Sequence, residues 1–152
     1  MKNFVAVFVG DMSSSKMQDW MKMEEGKRKK LEAEGIKKWG DWMQAHGSVL
    51  VDRGGPLGKT KKVSAQGISD GKNNMSGYVV LKAESQEAAA KLFEKHPSFS
   101  HFPGDSVEIM EVLQGLNDGG LIRTGFNAEL DLRYRGRLHA LAVAFREQLV
   151  EL

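Results

Sequence analysis

Cysteine is absent from the chain, which excludes a disulfide framework, a thiolate nucleophile and any Cys-ligated zinc. The absence fits a reducing compartment, and the cytoplasm is the expected location. Long hydrophobic runs are lacking too. No stretch approaches the roughly 20 apolar residues that cross a bilayer, so no membrane partner is expected. The N-terminal "MKNFVAVFVGDM" has one lysine, an apolar run too short for a secretory signal and no small-residue cleavage pattern. An excess of one charge is likewise missing: 22 basic residues face 20 acidic ones, a net +2 that leaves no broad cationic surface. The clearest basic run, Lys27 to Lys30, lies among Glu24, Glu25, Glu32 and Glu34 at helical i,i+4 spacing and reads as a solvated face. With no RNP-like aromatic pattern and no finger spacing, nucleic acid is not an expected partner.

What is there points to an α+β domain. At 152 residues the chain is long enough to bury a core without a staple. "NFVAVFVG" (3–10) is β-rich and apolar on both faces, as in a central strand covered on both sides. Ser15 and Gln18 have the spacing of a capping box ahead of Met17, Trp20 and Met21. A helical run follows through "KRKKLEAEGIKKWGDWMQAHG", broken or kinked at Gly26 and ending at Gly47 in an expected left-handed cap, with His46 at the negative end of the dipole. "SVLVD" (48–52) is a second strand, and 62–67 a short exposed one. "YVVLKA" (78–83) is a third core strand entered from the turn-rich "SDGKNNMSG". Ser85 caps a short helix with Ala88, Leu92 and Phe93 inward, and "SVEIMEVL" (106–113) closes the sheet. The order β, long α, β, hairpin region, β, short α, β is the ferredoxin-like split βαβ pattern. Helices on one face leave the other face apolar and uncovered, and a second copy packed sheet to sheet is the economical cover.

After Leu113 the composition changes. Residues 1–113 hold fifteen lysines, two arginines and all eight methionines, whereas residues 114–152 hold five arginines and neither lysine nor methionine. Residues 1–113 are therefore read as the functional domain, 114–133 as a linker, and 134–152 as an amphipathic C-terminal helix of separate origin, with Leu138, Leu141, Phe145, Leu149 and Leu152 along one side.

The motifs divide into one that fails and several that stand. Gly58-Lys59-Thr60 resembles a phosphate loop, but the required upstream glycine falls on Arg53. The following "KKVSAQGIS" also has no helical period to supply an anion site. What remains is a glycine-rich exit from the second strand, where Arg53 and Lys59 can meet an anionic small molecule. The four histidines are too scattered to hold a metal, and no metal or other cofactor is expected. Two readings of His96 stand side by side: a helix-terminal histidine satisfying carbonyls, and an acid–base group with Asp105 close in sequence. Trp39 and Trp42 are read either as core or as the wall of an aromatic pocket. With no G-x-S-x-G and no paired carboxylates, enzymatic chemistry is permitted and not required.

With that order of elements, the stretches "SDGKNNMSGYVVLKAESQEAAAKLFEKHP" and "GDSVEIMEV" make residues 1–113 resemble the YCII-related family of dimeric α+β barrels. The resemblance rests on Asp70-Gly71, Gly77-Tyr78, a Ser-x-Glu-Ala helix start and His96-Pro97; where the DGPF subset carries Pro-Phe, this chain has Lys72-Asn73. It implies a bacterial-type homodimer with a small cleft between helix and sheet, and some members act on small organic acids. In some members a His–Asp pair places its histidine on the first long helix. His46, which alone occupies that region here, does not match the position, and that chemistry is not carried over.

Together these readings give a cytoplasmic homodimer that binds a small molecule, with lyase- or isomerase-like activity on a small organic acid. His96 and Asp105 are the candidate catalytic residues, and Trp39, Trp42, Arg53 and Lys59 the candidate ligand contacts. The competing class is a non-catalytic module that binds a ligand or partner through the same cleft or through the dimer face.

Overall fold

Alternation in β1 (Lys2–Val9) sends Phe4, Ala6 and Phe8 to one face of the sheet, where all three are buried. β5 (Met75–Ala83) runs antiparallel to it with Leu81 opposite Phe4 and Val79 opposite Ala6, so the two central strands share one apolar face. β6 (Ser106–Glu111) flanks β1 on the other side and adds Val107 and Ile109 to that face. β2 (Leu50–Pro56) flanks β5, and the four-stranded order is β2-β5-β1-β6, antiparallel throughout. This is the split βαβ arrangement expected: β1 and β2 are joined through helices and separated by β5. The computed structural model describes residues 1–113, and Met1–Glu111 forms one compact unit. The linker and C-terminal helix read at 114–152 lie outside the described residues.

Between β1 and β2 run α1 (Ser15–Lys22) and the 21-residue α2 (Glu25–Ala45). Ser14, not Ser15, caps α1: its hydroxyl accepts from Met17 N at 3.2 Å, while Gln18 Nε2 donates to Ser13 O at 3.3 Å. The break between the helices falls at Met23 and Glu24, both in extended conformation, and leaves Gly26 in the first turn of α2. Gly47 has no positive φ; the end of α2 is held instead by His46, whose Nδ1 donates to Trp42 O at 2.8 Å. No helix among the described residues is long and apolar enough to cross a membrane.

β3 (Thr60–Ser64) and β4 (Gly67–Gly71) form a separate two-stranded ribbon, exposed over residues 61–70. The strand that begins at Thr60 supplies no helix after Gly58-Lys59-Thr60, consistent with rejection of the phosphate loop. In β2 the register against β5 slips twice, and Gly54 sits there with φ +59 and its amide on Asp52 Oδ1 at 2.8 Å.

The core joins the Phe4 face to the helices: Phe4, Ala6, Phe8, Val79 and Leu81 meet Met43 of α2 and Ala89 of α3 (Gln86–Lys91). Ala89, not Ala88, is the inward alanine of α3: Ala89 is buried, and Ala88, whose amide donates to the capping Ser85 Oγ at 3.1 Å, is exposed. The opposite sheet face carries Val5, Val7, Tyr78, Val80 and Met110, and none of these belongs to the core cluster.

Candidate functional site

Pro97 decides where His96 goes. Proline forces the residue before it into extended backbone and is well suited to the first position of a new helix. α4 (Pro97–Ser100) therefore starts here, with His96 as its N-cap at φ −64 and ψ 139. The backbone N–H of Ser98 donates to His96 Nδ1 at 3.1 Å, and Ser98 Oγ lies 2.9 Å from the same nitrogen. A histidine satisfying helix carbonyls was one expected reading. The structure reverses the polarity, since the ring accepts at a helix start and donates nothing to a helix end.

An amide N–H can only donate, so Nδ1 holds a lone pair and the proton of the neutral ring lies on Nε2. Ser98 Oγ must then donate to Nδ1 as well. His96 is 0% exposed, and its Nε2 has no hydrogen-bond partner among the described residues. Leaving such a donor buried and unmet costs about 1–3 kcal/mol. Burial pushes the imidazole pKa down to about 3, with the nearby His46 as the lesser cause.

Four aromatic rings enclose the imidazole. Trp39 packs edge-on at a centroid distance of 4.5 Å and Trp42 at 4.8 Å, while Phe8 stands at 5.0 Å and Phe93 at 5.8 Å. The two tryptophans come from α2 at i,i+3, which places them on one helix face. Trp42 is pinned by Nε1 donating to Leu92 O at 3.0 Å, and Trp39 lies 4.8 Å from Phe8. Both are half-buried, so they reach from the surface to a fully enclosed ring. Aromatic faces are weak acceptors and do not replace a carbonyl or a water as partner for an N–H.

α4 is held in place from two sides. Lys16 Nζ donates to Phe99 O at 2.9 Å and Gly104 O at 2.8 Å. Gly35 of α2 makes room for the segment after α4, because a Cβ there would stand 2.6 Å from both His101 Cβ and a ring carbon of Phe102. Trp20 Nε1 is the second buried side-chain nitrogen without a partner among the described residues; the Trp20 ring lies 6.4 Å from Phe102, which lies 5.9 Å from Trp39.

The structure thus brings Trp39, Trp42 and His96 together. Asp105 goes elsewhere: it is exposed, its Oδ2 accepts from Asp11 N at 2.6 Å, and its own amide donates to Val9 O at 2.9 Å. No hydrogen bond joins Asp105 to His96, whose ring nitrogens are occupied by Ser98 or unpartnered. Arg53 is exposed on β2, and Lys59 is exposed in the loop before β3. Among the described residues no group of three or more His, Cys, Asp or Glu is placed to hold a metal. Phe8, Phe93 and Ser98 belong to the cluster without having been named as site residues from the sequence. The sequence signal for Ser98 was the His-Pro-Ser order, which reads as an N-cap followed by proline at the first helical position.

No family model matches the chain, and no curated protein sequence does either. Among solved structures the chain is similar to 5-chloro-2-hydroxyhydroquinone dehydrochlorinase from Burkholderia phenoliruptrix, in complex with 2,5-dihydroxybenzoquinone. That similarity has a TM-score of 0.43 and 12% identity, covering 74% of this chain and 95% of the other.

Proposed function

We propose that this protein is a homodimeric, small-molecule-binding α+β barrel of the YCII-related kind, with its binding site at the His96–Trp39–Trp42 cluster. The observation that carries the proposal is the Nε2–H of His96, buried inside an aromatic enclosure without a partner among the described residues. A buried donor of that kind is retained at a cost, and a ligand atom that accepts from it recovers the cost. Aromatic walls with few convergent polar groups are also the usual composition of a small-molecule site. The proposed ligand is a small organic acid, and the proposed chemistry is lyase- or isomerase-like, with His96 at the reacting end. Asp105 has no part in this scheme, since its carboxylate is already held on the backbone of Asp11.

The test is a panel of small hydroxy and keto acids titrated against the full chain, followed by tryptophan fluorescence and by turnover. In His96→Asn, where asparagine keeps an acceptor for the helix cap, any fluorescence response and any turnover should be lost. A variant that binds and turns over every responding acid as the wild type does removes His96 from the site.

A second reading, a non-catalytic module acting through its dimer face, is favoured by one observation. Val5 and Val80 lie directly opposite each other on the sheet face away from the core cluster, and Met110, opposite Val5 on the other side, is 45% exposed. A second copy stacked on this face would complete a closed barrel, and both readings share that homodimer.

A further inference from the structure

The polarity of the His96 ring limits what can bind to it. This inference rests on the proposed site at His96, Trp39 and Trp42 and concerns the chemistry of the atom received there. Ser98 occupies Nδ1 with two donors, its backbone N–H at 3.1 Å and its hydroxyl at 2.9 Å. A proton on Nδ1 would point at that N–H, so the ring has one available state, neutral with its proton on Nε2. In that state Nε2 has no lone pair with which to take a proton from a substrate; it can only donate. Phe8, Trp39, Trp42 and Phe93, the rings packed on it, carry no charge, and among the described residues the titratable neighbour that acts on it is His46, behind Trp42. A carboxylate brought against Nε2 would be buried among aromatic rings with no cation among the described residues packed on it, and burying an uncompensated charge is strongly unfavourable. An uncharged carbonyl incurs no such penalty and still accepts the hydrogen bond.

We propose that Ser98 locks His96 as an uncharged hydrogen-bond donor, and that the ligand presents to Nε2 an uncharged acceptor, the carbonyl oxygen of a ketone, aldehyde or amide, with any carboxylate held away from the enclosure. His96 then polarises that carbonyl and does not act as a base. Ser98 is the positioning residue and His96 the contact residue.

Two measurements on the full chain test this. The first is the nitrogen-15 spectrum of the histidine side chains between pH 8 and pH 5. Expected is a His96 ring protonated on Nε2 alone throughout, and unchanged in Ser98→Ala because the backbone N–H remains. A proton on Nδ1, or a ring that becomes charged in this range, overturns the lock whether or not any ligand binds. The second is binding of three probes that share one phenyl ring, benzamide, benzoate and toluene, followed by tryptophan fluorescence and by the His96 Nε2–H signal. Expected is benzamide tighter than both others by roughly tenfold, equivalent to about 1.4 kcal/mol, with only benzamide moving the Nε2–H signal. Benzoate binding as tightly as benzamide and moving that signal overturns the neutral-acceptor assignment while leaving the site intact. Toluene binding as tightly as benzamide removes the donor from recognition. Failure of all three probes overturns the site together with this inference.

Discussion

Ser98 and His96 are joined through a single nitrogen: the amide and the hydroxyl of Ser98 both converge on His96 Nδ1, at 3.1 and 2.9 Å. That convergence fixes the tautomer, and it leaves the other ring nitrogen as a donor with no partner among the described residues. A local helix-capping arrangement therefore determines the chemistry of a fully enclosed polar ring.

A first prediction concerns pH and stability. The folded pKa of His96 lies at about 3, below the unfolded value of 6.5. Between those values the unfolded chain binds a proton that the folded chain refuses, so stability rises with pH across the window and falls as pH drops from about 6.5 toward 3. The total loss is on the order of a few kcal/mol. Urea unfolding at pH 7 and pH 5 should show a drop in midpoint that is clearly smaller in His96→Asn. Equal drops in the two proteins would mean that His96 is protonated in the folded state.

Gly35 is the second. Alanine normally stabilises a helix interior relative to glycine by about 1 kcal/mol. Here the added Cβ would meet His101 Cβ and the Phe102 ring at 2.6 Å, so Gly35→Ala should destabilise the protein by about 1–3 kcal/mol. Gly40, on the same helix with open space at its Cβ, supplies the control: Gly40→Ala should be neutral or stabilising by up to about 1 kcal/mol. Thermal melts of both variants check the contrast.

Gly54 gives a third prediction through backbone and not side-chain space. Its φ of +59 disfavours a side chain, and a Cβ would lie 1.7 Å from Tyr78 O across the β2–β5 ladder. Gly54→Ala should cost about 3 kcal/mol or more, or leave no folded protein. Gly55→Ala, with nothing near its Cβ, should fold and melt close to wild type.

The fourth prediction addresses the outward sheet face. In the proposed homodimer, Val80→Glu places a charge between stacked sheets, so sedimentation velocity of the full chain should show a wild-type dimer and a folded monomeric variant. A wild-type monomer at micromolar concentration sinks the shared-sheet arrangement.

Much of the fold was legible in the sequence because strands and helices announce themselves by local periodicity. The alternation of Phe4, Ala6 and Phe8, the caps near Ser14 and Ser85, and the long α between the first two strands lead to the split βαβ order without any long-range information. The single-residue errors, Ser15 for Ser14 and Ala88 for Ala89, arose where adjacent residues of one type compete for a cap or a face. The register of β2 was not legible. Gly54 in "GGP" is needed because of a carbonyl on Tyr78, 24 positions along the chain, and no local pattern records it.

The candidate site divides along the same line. Trp39 and Trp42 at i,i+3 fall on one helix face by geometry alone, and His96-Pro97 marks a break in the chain by the chemistry of proline; both follow from the sequence itself. Which way the broken chain turns depends on packing. The tertiary structure starts a new helix at Pro97, folds His96 inward beneath both tryptophans and sends Asp105 to the backbone of Asp11. Nearness in sequence suggested a His–Asp pair. The structure instead pairs the histidine with Ser98, because an N-cap must meet the amides of its own helix, and that requirement is satisfied two residues away.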